Sequence, residues 1–219
     1  MPVRVAEPSV SSVAASVDDA SFIPDLEAWD PWRPDEVAAA LGALHVPWAI
    51  AGGRAIDLRL QSETRPHDDI EIVVSRDAME VVAGCLVELD WFAVDDGRAW
   101  PLADAPAELH QTWGRDRSQH HWRLDVFREN WDGDDWVYRR DPRIRRPLSE
   151  AIEFGAGRIP YLAPEIVLLF KAKAPREKDE ADLGLTLPTL TPERIEWLRS
   201  ALRVVHPTQE WTARLNTVL

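Results

Sequence analysis

The stretch "AGGRAIDLRLQSETRPHDDIEIVV", residues 51–74, constrains the fold more than any other part of the chain. Its last third alternates with the period of a strand, placing Ile70, Ile72 and Val74 on one face and Asp69, Glu71 and Val73 on the other. Burying an unpaired carboxylate is costly, so the face carrying Asp69 and Glu71 must meet solvent or a cation. The pair alone is most simply read as surface acids on a half-exposed edge strand. Two acids at i and i+2, about 7 Å apart at the backbone, can also converge on one hard cation.

What precedes and follows the pair shifts the balance. Gly52 and Gly53 enter a short helix, where a glycine turn exposes backbone N–H groups and lets a phosphate come close. Far downstream, "WRLDVF" sets Asp125 between Leu124 and Val126, as Ile70 and Ile72 flank Glu71. If the two strands lie side by side, Asp69, Glu71 and Asp125 supply the three oxygen donors that a Mg²⁺-dependent phosphoryl-transfer site needs.

The remaining pattern gives the frame. Residues 1–21 read as a poorly ordered tail and 34–45 as a helix, with "WAIAG" as a strand before the glycines. A helix is expected over 76–90, with Cys85 as a small buried side chain. A hairpin follows around Asp96-Gly97, then a strand over 120–130 with its return at 133–140. Beyond residue 161 three helical runs follow one another, separated by Pro175 and the Pro188 region. The expected architecture is α+β. A mixed sheet with flanking helices (22–160) packs against a C-terminal helical subdomain (161–219), with a cleft between them.

Lys171 and Lys173 end one of these helices. They read either as cleft cations facing a triphosphate or as solvated lysines favoured by the helix dipole. The run "REKDEADL" reads as a charged surface helix. His120 and His121 lack any zinc-ligand spacing, and core packing accounts for most of the tryptophans, with Trp113, Trp122 and Trp131 as candidates for a pocket wall.

A net charge of −13 opposes a polyanion-binding surface, so nucleic acid is not an expected partner and a cationic substrate is favoured. No apolar run approaches a signal peptide core or a membrane span, from which a soluble, cytoplasmic protein with no membrane partner is expected.

"GGRAIDLRLQSETRPHDDIEIVV" resembles the signature of the nucleotidyltransferase superfamily, a Gly-Gly or Gly-Ser turn followed by an hDhD/E strand. It is most similar to the aminoglycoside and lincosamide nucleotidyltransferases. The likeness is close over residues 48–74 and extends in pattern to "LDVF" at 124–127 and to residues 161–183. It implies a nucleotidyltransferase-type mixed sheet and transfer of an NMP, AMP first, from an NTP to a hydroxyl of a small aminoglycoside-like acceptor, with release of pyrophosphate.

Asp69 and Glu71 would then bind two Mg²⁺ ions, while Asp125 would complete the metal site and help to deprotonate the acceptor. Gly52 and Gly53 would hold phosphate oxygens. Arg54 stands where relatives often carry Trp, and would be an added phosphate contact; Glu71 replaces the commoner Asp. Arg65 and His67 match the family loop and would either assist with phosphate or close the turn, the second being favoured. Lys171 and Lys173 would face the triphosphate. A macromolecular acceptor (a tRNA end or a protein) and a non-catalytic nucleotide or ligand binder are the competing readings, and the presence of all three acids weakens the last. The acceptor, the preferred NTP and the oligomeric state are left open.

Overall fold

The computed structural model describes residues 20–215, so nearly all of the expected tail lies outside the described residues. Helix α1 (Pro34–Ala40) precedes β1 (Trp48–Ile50), α2 (Gly52–Leu60) and β2 (Glu71–Ser75). Helix α3 (Met79–Cys85) leads into the hairpin β3 (Leu89–Asp95) and β4 (Arg98–Pro101), then β5 (Gln111–Asp116) and β6 (Trp122–Glu129). A small ribbon, β7 (Asp135–Val137) and β8 (Arg145–Pro147), is followed by α4 (Leu148–Ala151), β9 (Ile152–Phe154) and β10 (Pro160–Leu162). The chain then turns helical through α5 (Pro164–Lys171), α6 (Glu177–Thr186), α7 (Pro192–Val205) and α8 (Glu210–Leu215).

Eight strands form one mixed sheet in the order β4-β3-β5-β6-β2-β1-β10-β9. Only β2/β6 and β1/β10 pair in parallel. β1, β2 and β10 are short and largely apolar, whereas β6 runs for eight residues and carries Asp125, Arg128 and Glu129; all four are mostly buried, as strands covered on both faces should be. Ile70, Ile72, Val74, Leu124 and Val126 are all fully buried and anchor one continuous core with Val82, Leu168, Leu198 and Trp211. The division expected at residue 161 falls inside β10, whose Tyr161 pairs with Ile50. Among the described residues no helix is long and apolar enough to cross a membrane.

Several sequence expectations are corrected. The helix over 76–90 stops at Cys85, because Leu89 already belongs to β3, and Cys85 is exposed rather than buried. The segment after Gly133 is not the return of β6; β7 pairs with β8 in a separate ribbon. The true neighbour of β6 on that side is β5, whose "QTWGRD" lacks the apolar alternation that would betray it. The run "REKDEADL" does form a charged helix with an exposed side, but Asp179 and Asp182 turn inward and are each 1% exposed. The hairpin turn at Asp96 and Gly97 is found, both residues having positive φ. Trp122 packs with Trp29, Trp113 and Phe92 in a second aromatic cluster, as core packing requires.

Candidate active site

The parallel pairing of β2 with β6 sets Glu71 directly opposite Asp125. Adjacent strands lie about 4.8 Å apart, so side-chain rotation alone can bring the two carboxylates onto one ion. β2 begins at Glu71, three residues later than the strand expected over 68–75, so Asp69 precedes it. Asp69 still lies near enough to raise the proton affinity of both other acids.

Asp125 is 2% exposed. Its Oδ2 accepts a 2.6 Å hydrogen bond from Gln111 Nε2 on β5, Oδ1 is buried without a close partner, and the Trp113 indole opposite it in the ladder also lowers its proton affinity. A buried carboxylate oxygen with nothing to accept from is costly, and it is the kind of atom that a ligand or cation satisfies. Among the described residues no group of three or more His, Cys, Asp or Glu side chains is placed to hold a metal ion, so the expected convergence of Asp69, Glu71 and Asp125 is not seen in this arrangement. Carboxylate oxygens are nonetheless the ligands that a hard divalent cation takes.

Burial, then the neighbouring Asp69, pushes Glu71 up to about 7, although Lys171, Arg176 and Lys178 pull the other way. Burial, then the Glu71 carboxylate, raises Asp125 well above the usual range despite its bond from Gln111. An acid whose folded pKa is raised binds more protons folded than unfolded, so stability falls as pH rises from the unfolded pKa through the folded one. Metal-free protein is therefore expected to lose stability between about pH 4.5 and 7, with Glu71 contributing on the order of 3 kcal/mol. Urea unfolding in a chelator should show this slope, and Glu71→Gln should reduce it; an unchanged slope would contradict the assignment.

At the start of α2, Gly52 has φ +58°, a region that favours glycine. A Cβ there would lie 1.6 Å from Glu71 Oε2, so only glycine lets that carboxylate pack against the turn. Gly53 is equally confined, a Cβ lying 2.3 Å from His67 Cε1. Should this turn hold a nucleotide phosphate, Gly52→Ala is expected to weaken nucleotide binding at least tenfold by calorimetry. Gly84→Ala, with nothing within 4 Å of its Cβ, serves as the neutral control.

His67 and Arg65 close the loop behind the glycines. His67 Nε2 lies 2.8 Å from Asp57 Oδ2, and its Nδ1 lies 3.0 Å from the Arg65 guanidinium. Since Arg65 can only donate, Nδ1 accepts and the Nε2–H donates to Asp57, which makes the ring neutral. Burial, then Arg65, lowers the His67 pKa in agreement. The other Asp57 oxygen takes the Thr64 N–H at 3.0 Å and its hydroxyl at 2.7 Å. Arg65 also reaches Asp182 of α6 at 3.4 Å. This latch fixes where β2 begins; Asp57, its centre, escapes a reading of the sequence because it sits within the helical pattern. Arg54 is held by Glu63 at 3.0 Å, with Asp57 at 3.8 Å, and, like Asp69 and Asp125, is not among the residues that line the cavity beside Gly52.

Beside Gly52 and Glu71 opens a cavity of about 310 Å³. Val73, Phe127, Val167 and Phe170 are among its apolar walls, and Arg139, Arg140, Lys171, Lys173 and Arg176 bring five cations to it. Against these stand the carboxylates of Glu71, Glu129 and Asp179, leaving a local positive excess that the net charge of −13 conceals.

The two lysines differ. Lys171 Nζ is fixed by Asp179 at 2.7 Å and Asp182 at 3.0 Å, so neither of its expected roles describes it fully. Burial alone would raise Asp179, but hydrogen bonds from Arg176 and Lys171 outweigh it and hold the carboxyl at about 2. Lys173 is exposed on the cavity rim and has no salt bridge among the described residues. Arg139, Arg140 and Arg176 were missed in the sequence, where nothing distinguishes them from other surface arginines.

Residues 35–99 match the family model described as aminoglycoside-2''-adenylyltransferase. Among solved structures, the chain is similar to the antibiotic-resistance factor ANT(2'')-Ia in solution, with TM-score 0.55 and 19% identity over 79% of this chain and 90% of that one. It is similar to ANT(2'')-Ia in complex with adenylyl-2''-tobramycin, with TM-score 0.55 and 21% identity over 78% of this chain and 94% of that one. The lincomycin-bound lincosamide antibiotic adenylyltransferase LnuA gives TM-score 0.51 and 17% identity over 72% of this chain and 95% of that one. No curated protein matches by sequence. The chain therefore has the nucleotidyltransferase fold, in the form shared with the aminoglycoside and lincosamide enzymes.

Proposed function

We propose, on the premise of that shared fold, that this protein is a divalent-metal-dependent nucleotidyltransferase that moves an NMP, AMP first, onto a hydroxyl of a small antibiotic-like acceptor. The observation that carries the reading is the β2/β6 register, which sets Glu71 against Asp125 beside the Gly52 turn and the cationic cavity. The names of the solved relatives point to adenylyl transfer and to tobramycin and lincomycin as acceptor types.

Asp69, Glu71 and Asp125 would hold the metal. When bound, a divalent cation offsets the repulsion among these carboxylates and neutralises phosphate charge. Asp125 is the base in this reading. Its Oδ1 takes the proton of the acceptor hydroxyl as that oxygen bonds to the α-phosphorus, and the bond to the β-phosphate oxygen breaks to release pyrophosphate. Gln111 holds the opposite oxygen and so orients the carboxylate. Lys173 and Arg176 compensate the charge that builds on the departing pyrophosphate. Lys171 contributes less, because two carboxylates already balance it.

A cationic acceptor would have to be met by the carboxylates of the site, and the soluble, cytoplasmic setting belongs to the same proposal. Incubation with α-labelled ATP, Mg²⁺ and a panel of aminoglycosides and lincosamides should yield labelled acceptor and one pyrophosphate per transfer. Bound ATP and Mg²⁺ with no transfer to any acceptor, across all four NTPs, would contradict it.

A further inference from the structure

We propose that Glu129 and Arg139 form the polar edge of a nucleobase subsite at the end of the cavity remote from Glu71 and Asp125. This rests on the nucleotidyltransferase reading and goes beyond it by naming the residues that meet the base.

Glu129 is 1% exposed yet lines the cavity. Its Oε1 accepts from Arg139 Nε at 3.3 Å, while Oε2 is buried without a partner. A buried carboxylate oxygen left unsatisfied is expensive, and here the cavity is where its partner can come from. Glu129 lies on the same face of β6 as Asp125 and Phe127. Four residues of strand separate Glu129 from Asp125 by about 13 Å, a span suited to a nucleotide laid from its reacting phosphate to the outer edge of its base.

The intervening surface suits a flat, weakly polar ring. Phe127 and Val73 face each other in the ladder and both line the cavity. Phe127 is backed by His110, the rings being 6.2 Å apart at 26°. Phe170, on α5, is flanked by the guanidinium groups of Arg140 at 5.3 Å and Arg139 at 5.9 Å. Aromatic faces and guanidinium planes are what unstacked bases pack against.

Charge separates a base from the other candidate ligand, an amine of the acceptor. Arg139 and Arg140 would repel a polycation from this end, whereas the neutral amino group or ring N–H of a base can donate to Glu129 Oε2. Arg139 can then donate to the neighbouring ring nitrogen or carbonyl oxygen.

The test is calorimetric titration of the full chain with ATP, GTP, CTP, UTP and inorganic tripolyphosphate, for the native protein and for Glu129→Gln and Glu129→Leu. The native protein should bind its preferred NTP at least tenfold tighter than tripolyphosphate. Glu129→Leu should lose most of that margin while tripolyphosphate affinity stays within twofold, and Glu129→Gln should alter the ranking of the four bases.

An equal loss of tripolyphosphate affinity would overturn the proposal by assigning Glu129 to folding. So would unchanged NTP affinities combined with a raised KM for the acceptor. Failure of the native protein to bind any triphosphate would overturn both this subsite and the reading beneath it.

Discussion

Asp125→Asn is expected to lower kcat for nucleotidyl transfer by about 10²–10⁴-fold, the range for loss of a positioned base, and to leave NTP affinity in the metal complex far less changed. Asparagine keeps the shape and can still accept the bond from Gln111, so the fold should survive. It removes a carboxyl whose ionised form is disfavoured by burial and by Glu71, so at pH values where that carboxyl is ionised the metal-free protein should gain stability as it loses activity. Single-turnover transfer and urea unfolding on the same variant separate the two effects. Loss of both activity and stability would mean that Asp125 serves packing and not the reaction.

Lys171→Met should have the largest effect on stability. It leaves Asp179 and Asp182, each 1% exposed, without the ammonium that lies within 3.0 Å of both. Removing one partner of a buried ion pair costs about 3–5 kcal/mol, because the surviving charge is stranded. Arg65 and Arg176 remain near the two aspartates and should keep the loss at the lower end of that range. Combining Lys171→Met with Asp179→Asn and Asp182→Asn should recover most of the loss. A single variant as stable as the native protein, by denaturant unfolding, would show that the cluster is solvated.

These two residues also mark how far the sequence could be read. Asp125 was legible because its flanking Leu124 and Val126 repeat the alternation around Ile70 and Ile72, and strand period is a local property. Its pairing with Glu71 was anticipated for the same reason, since two buried strands of like pattern find one another in a sheet core. Lys171 was only half legible. Its place at the end of an apolar helix is local, but its partners come from α6, and a tertiary ion pair leaves no periodic trace.

Asp179 and Asp182 illustrate that limit from the other side. Three residues apart, they share a face of α6, and that face is buried, yet composition alone marks "REKDEADL" as surface. Strand β5 was lost because Gly114 and the charged Arg115 interrupt its alternation. The cationic cavity was concealed by averaging: a net charge of −13 says nothing about where five cations gather. His67 and Arg65 were placed in their favoured structural role from the loop itself, but the aspartate that organises them lies ten residues back, inside α2.

The central claim is that Asp69, Glu71 and Asp125 share a divalent cation with a bound nucleotide. Titration of Mn²⁺ in the presence of a non-hydrolysable ATP analogue, followed by electron paramagnetic resonance, tests it directly. The expected result is nucleotide-dependent Mn²⁺ binding that weakens at least tenfold in each of Asp69→Asn, Glu71→Gln and Asp125→Asn. Mn²⁺ binding that is indifferent to all three substitutions would contradict it.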